Sequence, residues 1–390
     1  GALQAALDRT QEEYVAIFDA DFLPPADFLL QTLPYFSRDE HLGIVQGRWA
    51  HINQDYNLVT SSISHAIDVH FLVEQPGRYA AGIFQNFNGS GGVLRKKAIL
   101  EAGGWQADTL AEDLDLSYRM QMLGYRVLYL RDVLCPGEIP PTVPNFKQQQ
   151  GRWACGTTKT AMKILPQLLR DPKYDFRQRL LAIIHLTGYM IQPLMVISFL
   201  LSCLASFFGL IGFHLTQVNT LIPASGTGIA AGALSIISVQ NLVWFFLSPL
   251  IILCAIAPWI SLLSTLKTQR LPLIKNLPSL LVLLLLCFGI SLSATRGVVK
   301  ALFTDRAWEW TRTPKYAQLR KGQNWRESRY QIPLDPLWIW ELIFSITGLL
   351  AIAQAFRISN LTALLILVPF TLSYGFVLVF SILQSRTVKA

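Results

Sequence analysis

The alternation of apolar and polar positions divides the chain into two parts. Up to about residue 179, short apolar runs alternate with charged, Gly- and Pro-containing stretches, as in a globular domain. Beyond it come longer apolar runs such as "MVISFLLSCLASFFGLIGF" and "LPSLLVLLLLCFGISLS". These approach the roughly 20 apolar residues that a helix needs to cross a bilayer. The pattern predicts a globular domain followed by a membrane domain.

Short apolar segments in the first part predict a sheet, since "YVAIF", "LGIVQG", "GGVLR" and "YRVLYL" have the length and composition of strands. Helical patterns between them cover Tyr56 to Glu74, Lys96 to Ala102 and Glu112 to Leu123. The last two precede Gly103 and Gly124, which suit a left-handed helix cap. Strands that alternate with helices predict an α/β domain with a mostly parallel sheet.

The second part contains five candidate membrane spans and one ambiguous region. We interpret Leu271 to Phe303, which two prolines and a glycine interrupt, as a re-entrant or interfacial element. A single crossing there would place the basic segment Arg296 to Arg329 on the outer side, against the positive-inside rule. The candidate spans are Ile183 to Leu210, Ile236 to Leu262, Leu277 to Leu292, Leu337 to Phe356 and Leu361 to Leu383.

These patterns predict three segments: a globular domain at 1–160, an amphipathic interface segment at 161–180, and a membrane domain at 181–390 that includes a loop at 304–330. The sequence begins at Gly1 without an initiator Met or a signal-like stretch. We therefore expect it to be cut from a longer chain.

Composition supports a membrane protein, since 52% of the residues are hydrophobic and only 15% are charged. Five cysteines show no CxxC metal spacing, and several lie inside apolar runs. We expect all five to be reduced and structural.

The net charge is +8, and the positions of the basic residues along the chain indicate which side of the membrane each loop occupies. Basic residues gather at 159–179, 267–275 and 296–329, whereas the loop 214–232 has no Lys or Arg. The positive-inside rule therefore predicts that the globular domain and the basic loops are cytoplasmic. Nucleic-acid binding is not expected, because basic residues do not interleave with aromatic residues on one face.

Two carboxylates directly follow an apolar strand in "VAIFDADFLPP". Asp19 and Asp21 are two residues apart at the carboxyl edge of the sheet. Both side chains can therefore point to the same side, into one crevice. Paired carboxylates suit a hard divalent cation, which can neutralise a departing nucleotide diphosphate. The alternative is a pair of solvated or helix-capping acids, and this motif by itself does not exclude it.

A second acid cluster, "AEDLDL", places Glu112, Asp113 and Asp115 in the first turn of a helix. Acids at this position complement the helix dipole and cap free amides. A carboxylate held beside a cleft can also act as a general base towards an attacking hydroxyl. Taken alone, the cluster favours the structural interpretation.

A third motif, "QQQGRW", places Gln149, Arg152 and Trp153 on one helical face. Arg offers a forked donor to a diphosphate, and Trp offers a flat surface to a sugar ring. The alternative is an interfacial helix that Arg and Trp anchor near lipid headgroups.

One further pair, His70 and Glu74, lies one turn apart on a predicted helix. A hydrogen bond or salt bridge along the helix face is preferred to a functional site.

The three motifs, in this order before the first membrane span, resemble the family 2 glycosyltransferases, particularly the membrane-embedded cellulose synthase-like and mannan synthase-like branch. The resemblance covers about residues 1–160 and is carried by "FDADF", "VQGRW", "FNGSGGVLR", "EAGGW", "EDLDL" and "QQQGRW".

The resemblance implies a nucleotide-sugar-binding fold of the GT-A type and a role for each motif. Asp19 and Asp21 would hold the nucleotide sugar and its Mg²⁺ or Mn²⁺. Asp113 would be the general base, and Glu112 beside it would bind substrate. The diphosphate and the acceptor sugar would be bound by Gln149, Arg152 and Trp153, and the acceptor path would be lined by Asn88, Gly89 and Ser90.

A later segment, "WTRTPK", resembles the gating loop of the synthases. The resemblance implies that Thr313 and Lys315 close over the donor, although Arg312 stands where the family usually has Val. Such a loop must be cytoplasmic, which agrees with the non-crossing interpretation of Leu271 to Phe303. The family's base-reading acid and a further span would precede Gly1.

The resemblance implies an inverting, metal-dependent transfer of a hexose from UDP-glucose or GDP-mannose to a growing β-glycan that passes through the membrane domain. The implied partners are the donor, the acceptor glycan and the bilayer, and a secretion partner stays unidentified. A lipid acceptor of the ceramide or polyprenyl-phosphate type is the first alternative. A transporter or a non-catalytic subunit is the second, although two of the spans lack charged residues for an ion relay. A glycoside hydrolase would also use two carboxylates, but it would need neither the metal-binding spacing of Asp19 and Asp21 nor the Arg.

Overall fold

The computed structural model describes residues 2–209, 256–304, 313 and 333–385. The four strands coincide with the four predicted ones and are β1 (Tyr14–Ile17), β2 (Leu42–His51), β3 (Gly92–Arg95) and β4 (Arg126–Gly137). The helices of the first part are α1 (Ala2–Arg9), α2 (Phe28–Thr32), α3 (Leu58–Val69), α4 (Gln75–Ala80), α5 (Lys96–Glu101), α6 (Glu112–Met122), α7 (Val143–Arg170) and α8 (Phe176–Leu186).

The four strands of the described residues form one mixed sheet in the order β1-β3-β2-β4. The predicted α/β class is confirmed, but the expected mostly parallel sheet is wrong in detail. β3 runs antiparallel to both β1 and β2, and only β2 and β4 are parallel. Two left-handed glycines, Gly89 and Gly91, turn the chain just before β3, which then enters between β1 and β2 in the reverse direction.

This reversal decides where the loops lie. In the register of the antiparallel pair, Ile17 at the end of β1 faces Gly92 at the start of β3. The loop after β1 and the loop before β3 therefore meet at one edge of the sheet. β4, parallel to β2, ends at the same edge with Gly137 opposite His51.

Helix α6 buries two sides of its surface. Leu116 and Met120 pack against the sheet core around Ile44 and Leu94. Leu114 and Tyr118 face the other way, into a cluster with residues of α7. Because residues four apart share a helix side, these two pairs fix the rotation of α6 about its axis. The expected glycine caps are confirmed, since both Gly103 and Gly124 have positive φ.

The remaining described helices are α9 (Ile191–Phe208), α10 (256–268), α11 (Leu273–Gly289), α12 (Ser291–Phe303), α13 (Trp338–Arg357) and α14 (Leu361–Gln384). Among the described residues, four segments are helical, long and apolar enough to cross a membrane: Gly188–Phe208, Leu273–Phe303, Trp338–Arg357 and Ala363–Gln384.

Three of these segments fall on predicted spans. The predicted span Ile236 to Leu262 lies mostly outside the described residues. The region interpreted as re-entrant contains a 31-residue helical segment, Leu273–Phe303, that is long enough to cross, so its path stays a hypothesis.

Helix α7 joins the two parts of the protein. Gly151 of α7 and Gly297 of α12 have no side chains, which allows the two helix backbones to come into contact there. Ser293 Oγ of α12 donates to the carbonyl oxygen of Lys147 at 2.7 Å. The predicted boundary at residue 160 falls inside α7, and the domain limits stay predictions.

Candidate active site

The two acids after β1 lie in a tight turn at the sheet edge. The Phe22 amide donates to the Asp19 carbonyl at 2.9 Å and closes this turn. The Asp19 amide donates to Ser90 Oγ at 3.0 Å, which joins the turn to the loop before β3. Asp21 is half-buried, and its Oδ2 accepts from the amide of Glu138 at 3.3 Å. The structure thus places the paired acids and Ser90 together.

The loop before β3 also touches the start of α6. Gly89 has a φ of +77°, and a Cβ built there would lie 2.9 Å from Asp113 Oδ2. Only glycine combines this backbone conformation with this contact at no steric cost. Segment Asn88 to Ser90 therefore lies between Asp19 and Asp113.

The three acids of α6 have different environments. Asp115 is fully buried and pairs with Arg119 at 2.8 Å and with Lys163 at 3.0 Å, so its role is structural. Asp113 Oδ1 accepts from the amide of Leu114 at 2.8 Å, a local helix-start bond, and its other oxygen faces Gly89. The structural interpretation thus applies to Asp115, whereas Asp113 lies beside the loop before β3 and stays a candidate for the functional one.

Burial raises the pKa of Asp113 to about 7, and the negative charge of Glu112 adds to this effect. Burial also raises the pKa of Glu112, while the positive charge of Arg152 opposes the rise. A carboxylate with a pKa near neutrality can both accept and hold a proton at physiological pH.

Arg152 of α7 faces these acids. Burial lowers the pKa of its guanidinium, and the negative charges of Glu112, Asp113 and Asp19 counteract that shift. An Arg stays protonated in spite of such a shift. The four charged groups Asp19, Glu112, Asp113 and Arg152 therefore lie close enough to influence one another electrostatically, and acids outnumber the single arginine.

Thr313 also lies at this location. It is 4% exposed, and its Oγ1 accepts a long hydrogen bond of 3.5 Å from Arg152 Nη2. Thr313 thus contacts Arg152, whereas the expected closure over a donor stays a prediction. Lys315, the other residue expected from this loop, lies outside the described residues.

The other two residues of the third motif lie on the same helix as Arg152. Gln149 is buried, and its Oε1 has no hydrogen-bond partner among the described residues, whereas Trp153 is partly exposed. A Cβ on Gly156, one turn further, would lie 2.8 Å from the amide nitrogen of Ala111. This glycine therefore lets α7 approach the residue that precedes Glu112.

Sequence reasoning missed the buried support of the loop before β3. Gln46 Nε2 donates to the carbonyls of Ser90 and Gly91 at 3.0 and 3.1 Å, and its Oε1 accepts from the amide of Asn88 at 3.1 Å. Trp49 Nε1 donates to Ser90 O at 2.8 Å. The available signal was a glutamine inside a buried strand, since a buried amide needs partners.

Asp19 and Asp21 provide the oxygen ligands that hard divalent cations prefer. Among the residues that the structure describes, no group of three or more His, Cys, Asp or Glu is arranged to hold a metal ion. A cation held by these two carboxylates alone would have to complete its coordination with other oxygen ligands, such as water, as Mg²⁺ commonly does.

Comparison with known proteins gives a consistent family. A glucomannan 4-beta-mannosyltransferase from Oryza sativa subsp. japonica is 42% identical over 161 residues, which cover 41% of this chain and 31% of the relative. A glucomannan 4-beta-mannosyltransferase from Arabidopsis thaliana is 39% identical over 186 residues, 47% of this chain and 35% of the relative. The aligned regions thus span about a third of each relative's length.

Among solved structures, the mannosyltransferase PcManGT from Pyrobaculum calidifontis in complex with GDP-Man and Mn²⁺ matches at a TM-score of 0.38 and 17% identity, covering 77% of this chain and 66% of that one. The family model described as glycosyl transferase family group 2 matches residues 14–380. Since this match includes both the sheet and the membrane helices, the chain belongs to glycosyl transferase family group 2.

Proposed function

We propose that the protein transfers a hexose from a nucleotide sugar to the end of a growing β-glycan, with inversion at the anomeric carbon. GDP-mannose is the favoured donor, because the plant relatives are named glucomannan 4-beta-mannosyltransferases. The observation that carries the proposal is the convergence of Asp19, Glu112, Asp113 and Arg152 beside the loop before β3.

Asp113 is proposed as the general base. Its raised pKa suits proton transfer near neutral pH, and the missing side chain of Gly89 leaves space at Oδ2. The acceptor hydroxyl gives its proton to this carboxylate while its oxygen forms a bond to the anomeric carbon. The bond from that carbon to the diphosphate oxygen breaks on the opposite face, so a single displacement inverts the configuration.

Arg152 is proposed to stabilise the departing diphosphate. Its guanidinium lies among carboxylates in a buried setting, where a forked donor to phosphate oxygens is effective. Gln149 has a buried carbonyl oxygen that can accept from a sugar hydroxyl. Trp153 provides a partly exposed ring for the acceptor sugar, and Thr313 borders the Arg152 side of the site.

Mg²⁺ or Mn²⁺ at Asp19 and Asp21 would add positive charge beside the departing diphosphate. In the protein itself, the turn closed by Phe22 fixes the backbone of this pair, and Ser90 ties it to the acceptor side. A cation also balances the excess of acids over arginine at this location.

The membrane helices are proposed to guide the glycan outward, with the catalytic domain on the cytoplasmic side. Two features support this arrangement: the basic flanks of the helices and the packing of α12 along α7. Arg296 of α12 also forms a two-point ion pair with Asp335, just before α13, at 2.9 and 2.8 Å. This pair joins the two ends of the segment that contains Thr313.

The test uses membranes that carry the protein, given labelled GDP-mannose or UDP-glucose with Mg²⁺, Mn²⁺ or a chelator. Asp113→Asn is the inactive variant, and Asp132→Asn, at an exposed acid outside the site, is the matched control. We expect a metal-dependent, ethanol-insoluble product that β-mannanase digests, absent only from Asp113→Asn.

Each other outcome contradicts part of the proposal. A product digested by β-glucanase and made from UDP-glucose would exclude the favoured donor. Label extracted into chloroform and methanol would replace the glycan acceptor by a lipid. The absence of metal-dependent transfer from either donor would exclude the proposed reaction.

A further inference from the structure

A π turn interrupts the helix formed by α3 and α4. It covers His70–Glu74, whereas the segments on either side are α-helical. Single π turns inside α-helices are rare and occur frequently at functional sites. Here the turn brings the ring of His70 to the side chain of Asn88, with Nε2 3.1 Å from Nδ2. Asn88 belongs to the loop that lies between Asp19 and Asp113.

The orientation of the Asn88 amide follows from its neighbours. Gln75 Nε2 lies 2.9 Å from the backbone carbonyl oxygen of Asn86, which can only accept a hydrogen bond. The same nitrogen lies 2.9 Å from the Asn88 side chain, so it must donate there as well. Asn88 therefore directs Oδ1 at Gln75 and Nδ2 at His70.

This orientation decides the tautomer of His70. Because Asn88 Nδ2 is a donor, His70 Nε2 must accept and is unprotonated. The ring proton is then on Nδ1, which donates to Glu74 Oε2 at 2.8 Å. Arg78 Nε donates to the other oxygen of Glu74 at 3.0 Å, and Arg78 Nη1 to the carbonyl of Phe84 at 3.0 Å. The expected helix-face bond between His70 and Glu74 is thus present, but it is one link of a directed chain.

We propose that His70 is a positioning residue for the glycosyl acceptor. Its Nε2 fixes the Asn88 amide, and thereby the turn at Gly89 that packs on Asp113. One hydrogen of Nδ2 and one lone pair of Oδ1 remain on the fixed amide for a sugar hydroxyl. This inference rests on the proposed function, since the acceptor is the glycan end that Asp113 deprotonates.

Replacement of His70 by either of two side chains of similar size distinguishes the roles of its two ring nitrogens. In His70→Gln the carboxamide reaches the position of Nε2 and can accept from Asn88. In His70→Asn it reaches only the position of Nδ1, so the bond to Glu74 can form while Asn88 loses its partner. We expect His70→Asn to raise the KM for a manno-oligosaccharide acceptor about tenfold, the order of one lost hydrogen bond, with the donor KM unchanged. His70→Gln should stay within about threefold of the wild type.

If His70 had only a structural role, its two variants would show a different pattern of activity and stability. Equal losses in both variants, accompanied by equal decreases in Tm, would overturn the proposal, as would a change in donor KM alone. Asn88→Ala in the His70→Asn background should cost no more than Asn88→Ala alone, because the two residues act as one unit.

A second measurement does not depend on activity. In protein labelled with ¹⁵N-histidine, the His70 signals, assigned by their loss in His70→Gln, should show a protonated Nδ1 and an unprotonated Nε2. Asn88→Asp, whose carboxylate can only accept, should move a proton onto Nε2. A wild-type ring protonated on Nε2 would overturn the inference even if the transfer reaction proposed above is confirmed, and the expected tautomer would stand even if that reaction fails.

Discussion

The ammonium group of Lys147 pairs with the carboxylate of Glu341, 194 positions further along the chain. Both side chains are inside the protein, with Lys147 2% and Glu341 0% exposed. Lys147 Nζ also donates to Ser381 Oγ of α14 at 3.1 Å. Lys147 precedes Gln149 by two residues on α7, and Glu341 belongs to the candidate span Trp338–Arg357. An ion pair and a hydrogen bond therefore anchor the helix that carries the third motif to two candidate membrane helices.

Substitution of one residue of the Lys147–Glu341 ion pair should destabilise the protein more than substitution of both. Lys147→Met leaves the Glu341 carboxylate buried without its counter-charge, and we expect a loss of about 3–5 kcal/mol in the free energy of unfolding. Lys147→Met with Glu341→Met replaces the pair by apolar side chains and should recover most of this loss. Thermal unfolding in detergent measures both.

Lys97→Met is the control for this comparison, because Lys97 and Glu101 form an exposed pair whose loss should change stability little. A double variant as unstable as Lys147→Met would contradict the expectation.

The rate of transfer should increase with pH through about 7. The Asp113 carboxylate must be ionised to accept a proton, and burial raises its pKa to about 7. The measurement is a pH profile of kcat/KM, which reports the pKa values of groups in the free enzyme, with Asp132→Asn as the reference variant. A flat profile between about pH 5.5 and 8 would argue against Asp113 as the base.

The raised pKa of Asp113 also predicts that its ionised carboxylate destabilises the folded state at high pH. Its folded pKa lies above the ordinary carboxyl value, so the folded state binds the proton more tightly and loses stability as the pH rises from about 4 to above 7. We expect Asp113→Asn to abolish transfer yet to stabilise the protein by about 1–3 kcal/mol at pH 8. This gain should shrink as the pH falls. A variant less stable than the wild type at pH 8 would refute the expectation.

Gly89→Ala should reduce kcat about a hundredfold, because its Cβ would press on Asp113 Oδ2 and misplace the base. Gly82→Ala is a close control, since Gly82 also has positive φ but no atom of the described residues lies within 4 Å of its Cβ position. Both variants carry the cost of the left-handed backbone, and only Gly89→Ala has the contact. Equal activities in the two variants would show that the contact with Asp113 is unimportant.

Gly156→Ala should separate α7 from the start of α6. Its Cβ would lie 2.8 Å from the Ala111 amide nitrogen, so either α7 or the backbone just before α6 must shift. We expect kcat to fall about tenfold or more, because Arg152 and Asp113 move apart. Gly188→Ala, whose Cβ meets no described atom within 4 Å, should leave kcat unchanged. Retained activity in Gly156→Ala would mean that the distance between α6 and α7 is not critical.

Local signals in the sequence predicted several elements, but not the short helices α1, α2 and α4. The four strands, the glycine caps after α5 and α6, and the helix that carries Arg152 all follow from periodicity and backbone preference. The order of the three motifs then predicted the family. Strand direction was not predictable in this way, because a short apolar strand has the same pattern in either direction, and β3 runs opposite to its neighbours.

The supporting contacts of the site were less accessible to sequence reasoning. Lys147 and Glu341 are far apart in the sequence, and no local pattern relates them. His70 and Asn88 meet at a π turn, which the sequence analysis did not predict. The different fates of Asp113 and Asp115 could have been expected, since residues two apart on a helix point about 200° apart, in nearly opposite directions.

The pairing of Lys147 with Glu341 also has a consequence for the order in which the protein matures. Domains near the N-terminus fold first during synthesis. Helix α7 leaves the ribosome while α13 is still untranslated, so Lys147 has to wait for its counter-charge until the hairpin of α13 and α14 has entered the bilayer. Until then the helix that carries the third motif lacks this anchor, and a nascent chain that stalls before this step carries all three sequence motifs without it.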